Sequence, residues 1–134
     1  MTPVKATIHS DFAAGYEVQR RILAAAVRQG FGDHSLFALK IALEEALVNA
    51  IKHGNKLDPA KRITIEASIS PKQAEICIED EGTGFDRGSV PDPLCTENLE
   101  KSSGRGILLI ESYMSEVTWD HGGRRVRMVK KNEA

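Results

Sequence analysis

The stretch IALEEALVNAIKHGN, residues 41–55, constrains the fold of this chain more than any other stretch. All but its last two residues lie within a predicted helix from about Leu36 to His53, which Asp33 or Ser35 can cap and Gly54 would end. With about 3.6 residues per turn, the apolar residues fall on one broad stripe. The members of this stripe are Leu36, Leu39, Leu43, Leu47 and Ala50. Such a stripe predicts that the helix packs against a sheet.

Polar side chains line the opposite side of the same helix. They are Glu45, Asn49, Lys52 and Lys56, and the apolar residues Ala38, Ile41, Ala42 and Val48 flank them closely. The carboxylate of Glu45 and the carboxamide of Asn49 stand about one turn apart, so their oxygens project on the same side. Such a pair suits a hydrated divalent cation and a nearby water or hydroxyl group. An ordinary solvated helix face explains the same residues, and the helix alone favours that interpretation.

The remainder of the chain alternates between strand-like and helix-like segments. The predicted strands are 4–9, 63–69, 74–79, 116–119 and 125–129. The other predicted helices run from a cap at Ser10 or Asp11 to Gly30, and from Gly106 to Met114. Hairpin turns are predicted at 70–73 and 121–123, and the tail 130–134 is expected to fray. This order predicts an α+β fold, a two-layer sandwich in which about three helices cover one face of a mostly antiparallel sheet.

A glycine-containing segment follows the predicted strand 74–79. In IEDEGTGF, Asp80 ends the strand, and Gly82 and Gly84 follow at alternate positions. Glycines at such a strand end allow the backbone to approach a flat or phosphorylated ligand closely. A simple turn explains the motif as well. Residues 80–105 are rich in Gly and Pro and poor in apolar anchors, which indicates a long functional loop.

A second glycine pair stands directly before the predicted helix 106–114. Gly104 and Gly106 flank Arg105. At a helix N-terminus, unpaired backbone N–H groups, the helix dipole and this positive charge together suit an anion. A hinge for the preceding loop is the alternative interpretation, and the two are compatible.

Composition limits the class of protein. A length of 134 residues predicts a single domain over residues 1–134. The 18 Lys and Arg residues nearly balance 19 Asp and Glu residues, so we expect neither nucleic acid nor a membrane as the main partner. The sequence lacks both a signal-peptide core and an apolar run near the roughly 18 residues of a spanning helix. These features predict a cytoplasmic protein, with Cys77 and Cys95 as free thiols.

Three motifs taken together resemble those of a known superfamily. E-x-x-x-N at 45–49, D-x-G-x-G at 80–84 and G-x-G at 104–106 are similar to the N, G1 and G2 boxes of the histidine-kinase-like ATPases. These proteins share the Bergerat ATP-binding fold and include gyrase, chaperone and mismatch-repair ATPases. The resemblance spans roughly residues 10–130. Within the superfamily, ALEEALVNAIKHG and SGRGILLIESYMSEV resemble the anti-sigma factor serine/threonine kinases of bacteria.

The resemblance implies a role for the polar line of the helix. Asn49 would coordinate the Mg²⁺ that bridges the phosphates of ATP, and Glu45 would be the general base for a serine or threonine hydroxyl. Lys52 could approach the phosphates from the helix. Oxygen ligands suit Mg²⁺, and phosphoryl transfer depends mainly on positioning and charge neutralisation.

The resemblance also implies roles for the glycine motifs. Asp80 would accept a hydrogen bond from the adenine amino group, with Gly82 and Gly84 making room for the base. The phosphates would be wrapped by Gly104, Arg105 and Gly106, and residues 87–103 would form a mobile lid. One departure concerns the last hairpin, where many relatives carry a Thr near the adenine and this chain carries Arg124 and Arg125.

The function implied is that of an ATP- and Mg²⁺-dependent protein kinase. As an anti-sigma factor, it would sequester a sigma factor and phosphorylate an anti-sigma factor antagonist of the STAS type, and the family suggests a homodimer. An alternative class is a regulatory binding module in which nucleotide controls partner affinity and little or no phosphate is transferred. A plain α+β interaction domain is a third class.

Overall fold

A five-stranded antiparallel sheet organises the protein, whose computed structural model describes residues 2–83 and 102–133, with side chains in the second range from residue 106 onward. The strands are β1 (Thr2–His9), β2 (Arg62–Ile69), β3 (Gln73–Glu79), β4 (Glu116–Asp120) and β5 (Arg125–Lys131). Their order across the sheet is β1-β2-β3-β5-β4, and each pairing is antiparallel. The predicted α+β sheet is therefore confirmed, with β1 at one edge.

The alternation of side chains along the strands separates a covered face from an open one. Inward positions of β2, β3 and β5 are apolar and buried: Ile63, Ile65, Ile69, Ile76, Ile78, Val126 and Met128. Positions between them carry Glu, Arg and Thr side chains that are exposed or half-buried. Burial of apolar area on one face stabilises the sheet only if a second layer covers it.

Three helices supply that layer. They are α1 (Phe12–Arg28), α2 (Asp33–Val48) and α3 (Ser102–Tyr113). The predicted cap of α1 is confirmed, since the Asp11 side chain accepts a hydrogen bond from the Ala13 N–H at 3.1 Å. Helix α2 packs against both α1 and α3. Its Leu39, Leu43 and Leu47 are buried, and so are Ala38, Ala42 and Ala46. The central position of α2 explains why apolar residues occupy more than one stripe.

The N-terminal cap predicted for α2 is wrong. Gly32 occupies the cap position without a side-chain hydrogen bond, and Asp33 is already the first helical residue. Ser35 is fully buried, and its Oγ accepts a hydrogen bond from the Glu133 N–H at 2.9 Å. Ser35 therefore bonds the C-terminal strand extension instead of the start of its own helix.

The same bonds contradict the expected fraying of the C-terminal residues 130–133. Strand β5 continues to Lys131, and Asn132 Nδ2 donates to the carbonyls of Gly30 (3.2 Å) and Pro71 (3.0 Å). The Asn132 Oδ1 accepts from the Gly32 N–H at 3.1 Å. The segment thus joins the α1–α2 linker to the β2–β3 turn.

The C-terminal end of α2 differs from the predicted helix in its geometry. After Val48 the chain continues as a π-helical segment, Asn49–Gly54, and the Asn55 N–H donates to the Ala50 carbonyl at 2.8 Å. π-Helical turns are rare and occur often at functional sites. The widened turn changes the angular spacing after Asn49, so side chains beyond it do not follow the line predicted for an α-helix.

Helix α3 begins earlier than predicted, at Ser102 instead of Gly106. Gly104, Arg105 and Gly106 therefore lie within the first turns of the helix rather than directly before it. The predicted lid, residues 87–103, falls outside the described residues up to 101, and its last two residues belong to α3. The final hairpin is confirmed: its turn, His121–Gly123, contains Gly122 at φ 68° and Gly123 at φ 94°.

Candidate functional site

The polar pair singled out in the sequence lies where α2 changes into the π-helical segment. Glu45 is on the last full turn of α2, and Asn49 is the first residue of the π segment. Both side chains are half-buried, whereas Lys52 is exposed. The pair is therefore neither part of the core nor an ordinary solvated face.

Glu45 faces helix α3 at close range. A Cβ atom placed on Gly106 would stand 2.7 Å from the Glu45 Oε2, which is closer than real Cβ contacts come. Gly106 itself is buried. Glycine at this position lets α3 lie next to the carboxylate without displacing it, a reason that the sequence pattern did not reveal.

Asp80 lies at the end of β3, where the sequence predicted a ligand-contacting carboxylate. It is 6% exposed, its Oδ1 accepts a hydrogen bond from the Gly82 N–H at 2.7 Å, and its own N–H donates to the Arg124 carbonyl at 3.0 Å. Burial raises the pKa of the Asp80 carboxyl above its usual value, although the Gly82 hydrogen bond and the Arg124 charge act in the opposite direction. A buried carboxylate with a raised pKa is a frequent mark of a functional site.

Two glycines allow Asp80 to pack against the end of the π-helical segment. A Cβ atom on Gly54 would collide with the Asp80 carboxylate, and a Cβ atom on Gly82 would collide with the Gly54 carbonyl. Neither glycine has a positive φ, so close approach and not backbone conformation requires them. Gly82 was predicted as a site residue, whereas Gly54 was predicted only as the end of a helix.

The two contacts lie at different points along α2 and the π-helical segment that continues it. Glu45 meets α3 at Gly106, and Gly54 meets the β3 end at Asp80. The two positions are nine residues apart, which corresponds to roughly 13 Å along a helix.

Arg124 occupies the position for which many relatives were expected to have a Thr. Its Nε donates to the His121 carbonyl at 3.2 Å, and its own carbonyl accepts the Asp80 N–H. Arg125 extends elsewhere, with its guanidinium 3.1 Å from the Asp120 Oδ2. The backbone of Arg124, together with its charge, is thus the part that bears on Asp80.

Asn55 is a residue that sequence reasoning missed. It is fully buried, and its Oδ1 accepts a hydrogen bond from the Glu81 N–H at 2.8 Å. The Nδ2 donates to the Ser10 Oγ and to the Arg62 carbonyl, both at 3.0 Å. The only available signal was a second asparagine directly after Gly54.

Several predicted residues lie beyond what the structure describes. Gly84 and Cys95 fall in the gap between residues 83 and 102, and the Arg105 side chain is not described. Cys77 is a free, half-buried thiol. Within residues 2–83 and 102–133 there is no cluster of three or more His, Cys, Asp or Glu residues suited to a metal ion. In the same ranges, no helix has the length and apolarity required to cross a membrane.

The fold and these contacts define a domain of the histidine-kinase-like ATPase class. The chain belongs to the histidine kinase-like ATPase domain family, which it matches over residues 9–130. The predicted Bergerat-type architecture and the resemblance to that superfamily are therefore confirmed.

Within the family, the chain is similar to proteins of two names. The chain is 35% identical to an anti-sigma F factor of Clostridium perfringens strain SM101 over 98 residues, which are 69% of this chain and 70% of that protein. It is 29% identical to the serine-protein kinase RsbW of Bacillus subtilis strain 168 over 120 residues, 84% of this chain and 75% of that protein. Two further C. perfringens anti-sigma F factors are matched over only 58% of their length.

A solved structure shares the fold. The crystal structure of the RsbU and RsbW domains of Rv1364c from Mycobacterium tuberculosis superimposes with a TM-score of 0.66 and 15% identity. The match covers 99% of this chain and 32% of that one. At this identity the likeness concerns the fold alone.

Proposed function

We propose that the protein is an ATP-dependent serine/threonine protein kinase that acts as an anti-sigma factor. The observation that carries the proposal is the position of α2 and the π-helical segment that continues it: Glu45 of α2 lies against the start of α3, and Gly54 of the π-helical segment lies against Asp80 at the β3 end. The three motifs are thereby arranged around one helix. The similarity to proteins named anti-sigma F factor and serine-protein kinase RsbW supports the same conclusion.

The described residues fit a purine nucleotide. Asp80 offers a carboxylate at a strand end, and Gly54 and Gly82 allow this carboxylate and the neighbouring backbone to pack closely together. The carboxylate would accept a hydrogen bond from the adenine amino group. Helix α3 begins at Ser102, so the N–H of Gly104 is among the first ones that lack a partner within the helix, and it would face the phosphates, assisted by Arg105 and by the exposed Lys52. Gly106 would let this turn of α3 lie beside Glu45. Gly84 would complete the adenine site.

Glu45 and Asn49 would act at the other end of the nucleotide. Glu45 would orient the substrate hydroxyl and take its proton, while the serine oxygen forms a bond to the γ-phosphorus and ADP leaves. The oxygen of Asn49 suits Mg²⁺, which supplies charge neutralisation on the phosphates when bound. Glu45 lies beside buried Gly106 and is itself half-buried, which suits a group that acts on a hydroxyl sheltered from water.

The biological setting belongs to the same proposal. We propose that residues 1–134 form one catalytic domain, that it acts in the cytoplasm and as a homodimer, and that its protein substrate is an antagonist of the STAS type. In this scheme a sigma factor is bound in one nucleotide state and released when the antagonist is engaged. The part of the predicted lid that precedes α3, residues 87–101, would close over bound ATP.

Phosphotransfer with matched variants tests the proposal. The protein is mixed with γ-labelled ATP, Mg²⁺ and a candidate antagonist, and nucleotide binding is followed separately by the fluorescence of Trp119, the single tryptophan. Trp119 reports on α3 because its Nε1 donates to the Glu111 Oε2 at 3.0 Å. Glu45→Gln should abolish transfer and retain ATP binding, and Asn49→Ala should weaken Mg²⁺-ATP binding itself.

Glu44→Gln is the matched control, since Glu44 is the adjacent carboxylate of the same helix and is exposed. It should transfer phosphate at the wild-type rate. ATP binding with no transfer by the wild-type protein would refute the kinase and favour a nucleotide-dependent regulatory module. Absence of any response to millimolar Mg²⁺-ATP, including thermal stabilisation, would refute both.

A further inference from the structure

We propose that Asn55 is a positioning residue. It fixes the Asp80 carboxylate relative to Gly54, at the end of the π-helical segment, and thereby sets the preference of the site for adenine. The proposal rests on the nucleotide site described above and deepens it. Asn55 makes no contact with the substrate in this scheme, because its side chain is fully buried behind the Asp80–Gly82 turn. Its effect is exerted through the backbone of Glu81.

Three consecutive N–H groups define the conformation of this turn. The Asp80 N–H donates to the Arg124 carbonyl (3.0 Å), the Glu81 N–H to the Asn55 Oδ1 (2.8 Å), and the Gly82 N–H to the Asp80 Oδ1 (2.7 Å). The first acceptor belongs to the final hairpin and the third to the turn itself. Of the three, Asn55 is the acceptor supplied by the segment that follows α2.

The hydrogen bonds that the Asn55 Nδ2 donates fix the position of the side-chain amide. The Nδ2 donates to the Ser10 Oγ at the end of β1 and to the Arg62 carbonyl at the start of β2, both at 3.0 Å. Ser10 in turn donates to the Lys61 carbonyl at 3.0 Å. The amide therefore has little freedom, and the oxygen that it presents to Glu81 is held from two sides.

This arrangement links the two ends of the proposed nucleotide site. Asn49 opens the π-helical segment and Asn55 directly follows its last residue, with its N–H bonded to the Ala50 carbonyl, so the position of Asn55 is tied to that of the predicted metal ligand. Asp80 is adjacent to Glu81 and packs on Gly54. The hydrogen bond that the Glu81 N–H donates to the Asn55 Oδ1 would thus relate the adenine-recognising carboxylate to the phosphate end of the site. A misplacement of about 1 Å can cost a reaction about 100-fold in rate when groups must be aligned, so the position of this carboxylate matters.

A selectivity measurement tests the proposal. The dissociation constants of ATP and of purine riboside triphosphate, which lacks only the 6-amino group, are compared for each variant by titration of Trp119 fluorescence. The wild-type protein should prefer ATP by about tenfold or more, since the difference reports one hydrogen bond to a carboxylate. Asn55→Ala should reduce this preference at least about fivefold, because the Glu81 N–H loses its acceptor.

Ser10→Ala and Asn55→Asp serve as the matched controls. Ser10→Ala removes a bond of the same network on the side away from Glu81 and leaves the Arg62 carbonyl to hold the Asn55 amide, so it should lower the melting temperature but keep the preference for ATP. Asn55→Asp retains an oxygen for the Glu81 N–H, so it should keep most of the preference despite its own loss of stability. Should Asn55→Ala not fold, Asn55→Ser replaces it, because a serine hydroxyl is too short to reach Glu81.

Two outcomes would overturn the proposal: an unchanged preference in Asn55→Ala, or an equal loss of preference in Ser10→Ala. Either result would mean that Asn55 serves stability alone. A wild-type protein that binds neither nucleotide would instead refute the proposed function, and the two failures are therefore distinguishable.

Discussion

The close approach of Gly54 to Asp80 predicts that Gly54→Ala destabilises the wild-type protein but not a variant that lacks the Asp80 carboxylate. In Gly54→Ala, the new Cβ atom would collide with the Asp80 carboxylate, whose Oδ1 lies only 2.8 Å from that position. The carboxylate cannot simply turn away, because it is buried and holds the Gly82 N–H. Overpacking of this kind costs about 1–3 kcal/mol. For a chain of this length, each 1 kcal/mol lowers the melting temperature by about 3–5 °C.

The same substitution should behave differently once the carboxylate is removed. Gly54 lies in a helical segment without a positive φ, and Ala is favoured over Gly in helices by about 0.5–1 kcal/mol. In the Asp80→Ala background, Gly54→Ala should therefore be neutral or stabilising. Urea unfolding of the wild type, the two single variants and the double variant gives the coupling free energy, which we expect to be about 2 kcal/mol.

A second readout separates crowding from general instability. Gly54→Ala should weaken ATP binding at a temperature where the variant is fully folded, because the carboxylate that is pushed aside is the one proposed to recognise adenine. The reasoning is refuted if Gly54→Ala destabilises the Asp80→Ala protein as much as it destabilises the wild type. In that case the collision with the carboxylate would not be the cause of the cost.

Three further predictions address the rest of the molecule. Asp80→Asn should raise stability at neutral pH and lower ATP affinity about tenfold or more. Because burial raises the pKa of Asp80, its contribution to the stability of the wild-type protein is present at acidic pH and is lost as the pH rises through the folded-state pKa. The urea midpoints of the wild type and the variant should therefore converge at acidic pH and diverge towards neutral pH. Midpoints that differ equally at every pH would contradict this. Gly106→Ala should leave the urea midpoint nearly unchanged, because the Glu45 carboxylate can shift away from the new methyl group. The shift should nevertheless reduce phosphotransfer about tenfold or more without a similar loss of ATP binding. An unaffected rate of transfer would show that the position of Glu45 is not critical. Asn132→Ala should lower the free energy of unfolding by about 1–3 kcal/mol, because the side-chain hydrogen bonds to Gly30, Gly32 and Pro71 are lost, and it should not alter the affinity for ATP. An unchanged free energy of unfolding would mean that other contacts hold the C-terminal segment.

Much of the fold follows from the sequence because it depends on local periodicity. The alternation from Ile63 to Ile69 and the apolar stripe of α2 correctly indicate which faces are buried. Both are repeats within a few residues, and such repeats are visible in the chain itself. The same reasoning failed at Ser35, which has the chemistry of a cap but bonds to Glu133, a partner far along the chain.

The candidate site was found only in part from the sequence. The types and order of Glu45, Asn49, Asp80 and Gly82 were sufficient to suggest a nucleotide site, although their roles remain predictions. The reasons for the glycines were not visible. Gly106 and Gly54 each admit a carboxylate from a distant segment, and a distance between segments cannot be derived from a local pattern.

What the sequence alone determined about this protein is therefore the set of elements, the covered face of the sheet and the identity of the chemical groups. The tertiary structure decided the change of α2 into a π-helical turn at Asn49, the contact of Glu45 with α3, and the bond by which Asn55 holds Glu81. The physical reason is that side-chain periodicity is set by the geometry of a single helix or strand. Close approaches between elements are set instead by how all of the elements pack together, which no single stretch of the chain encodes.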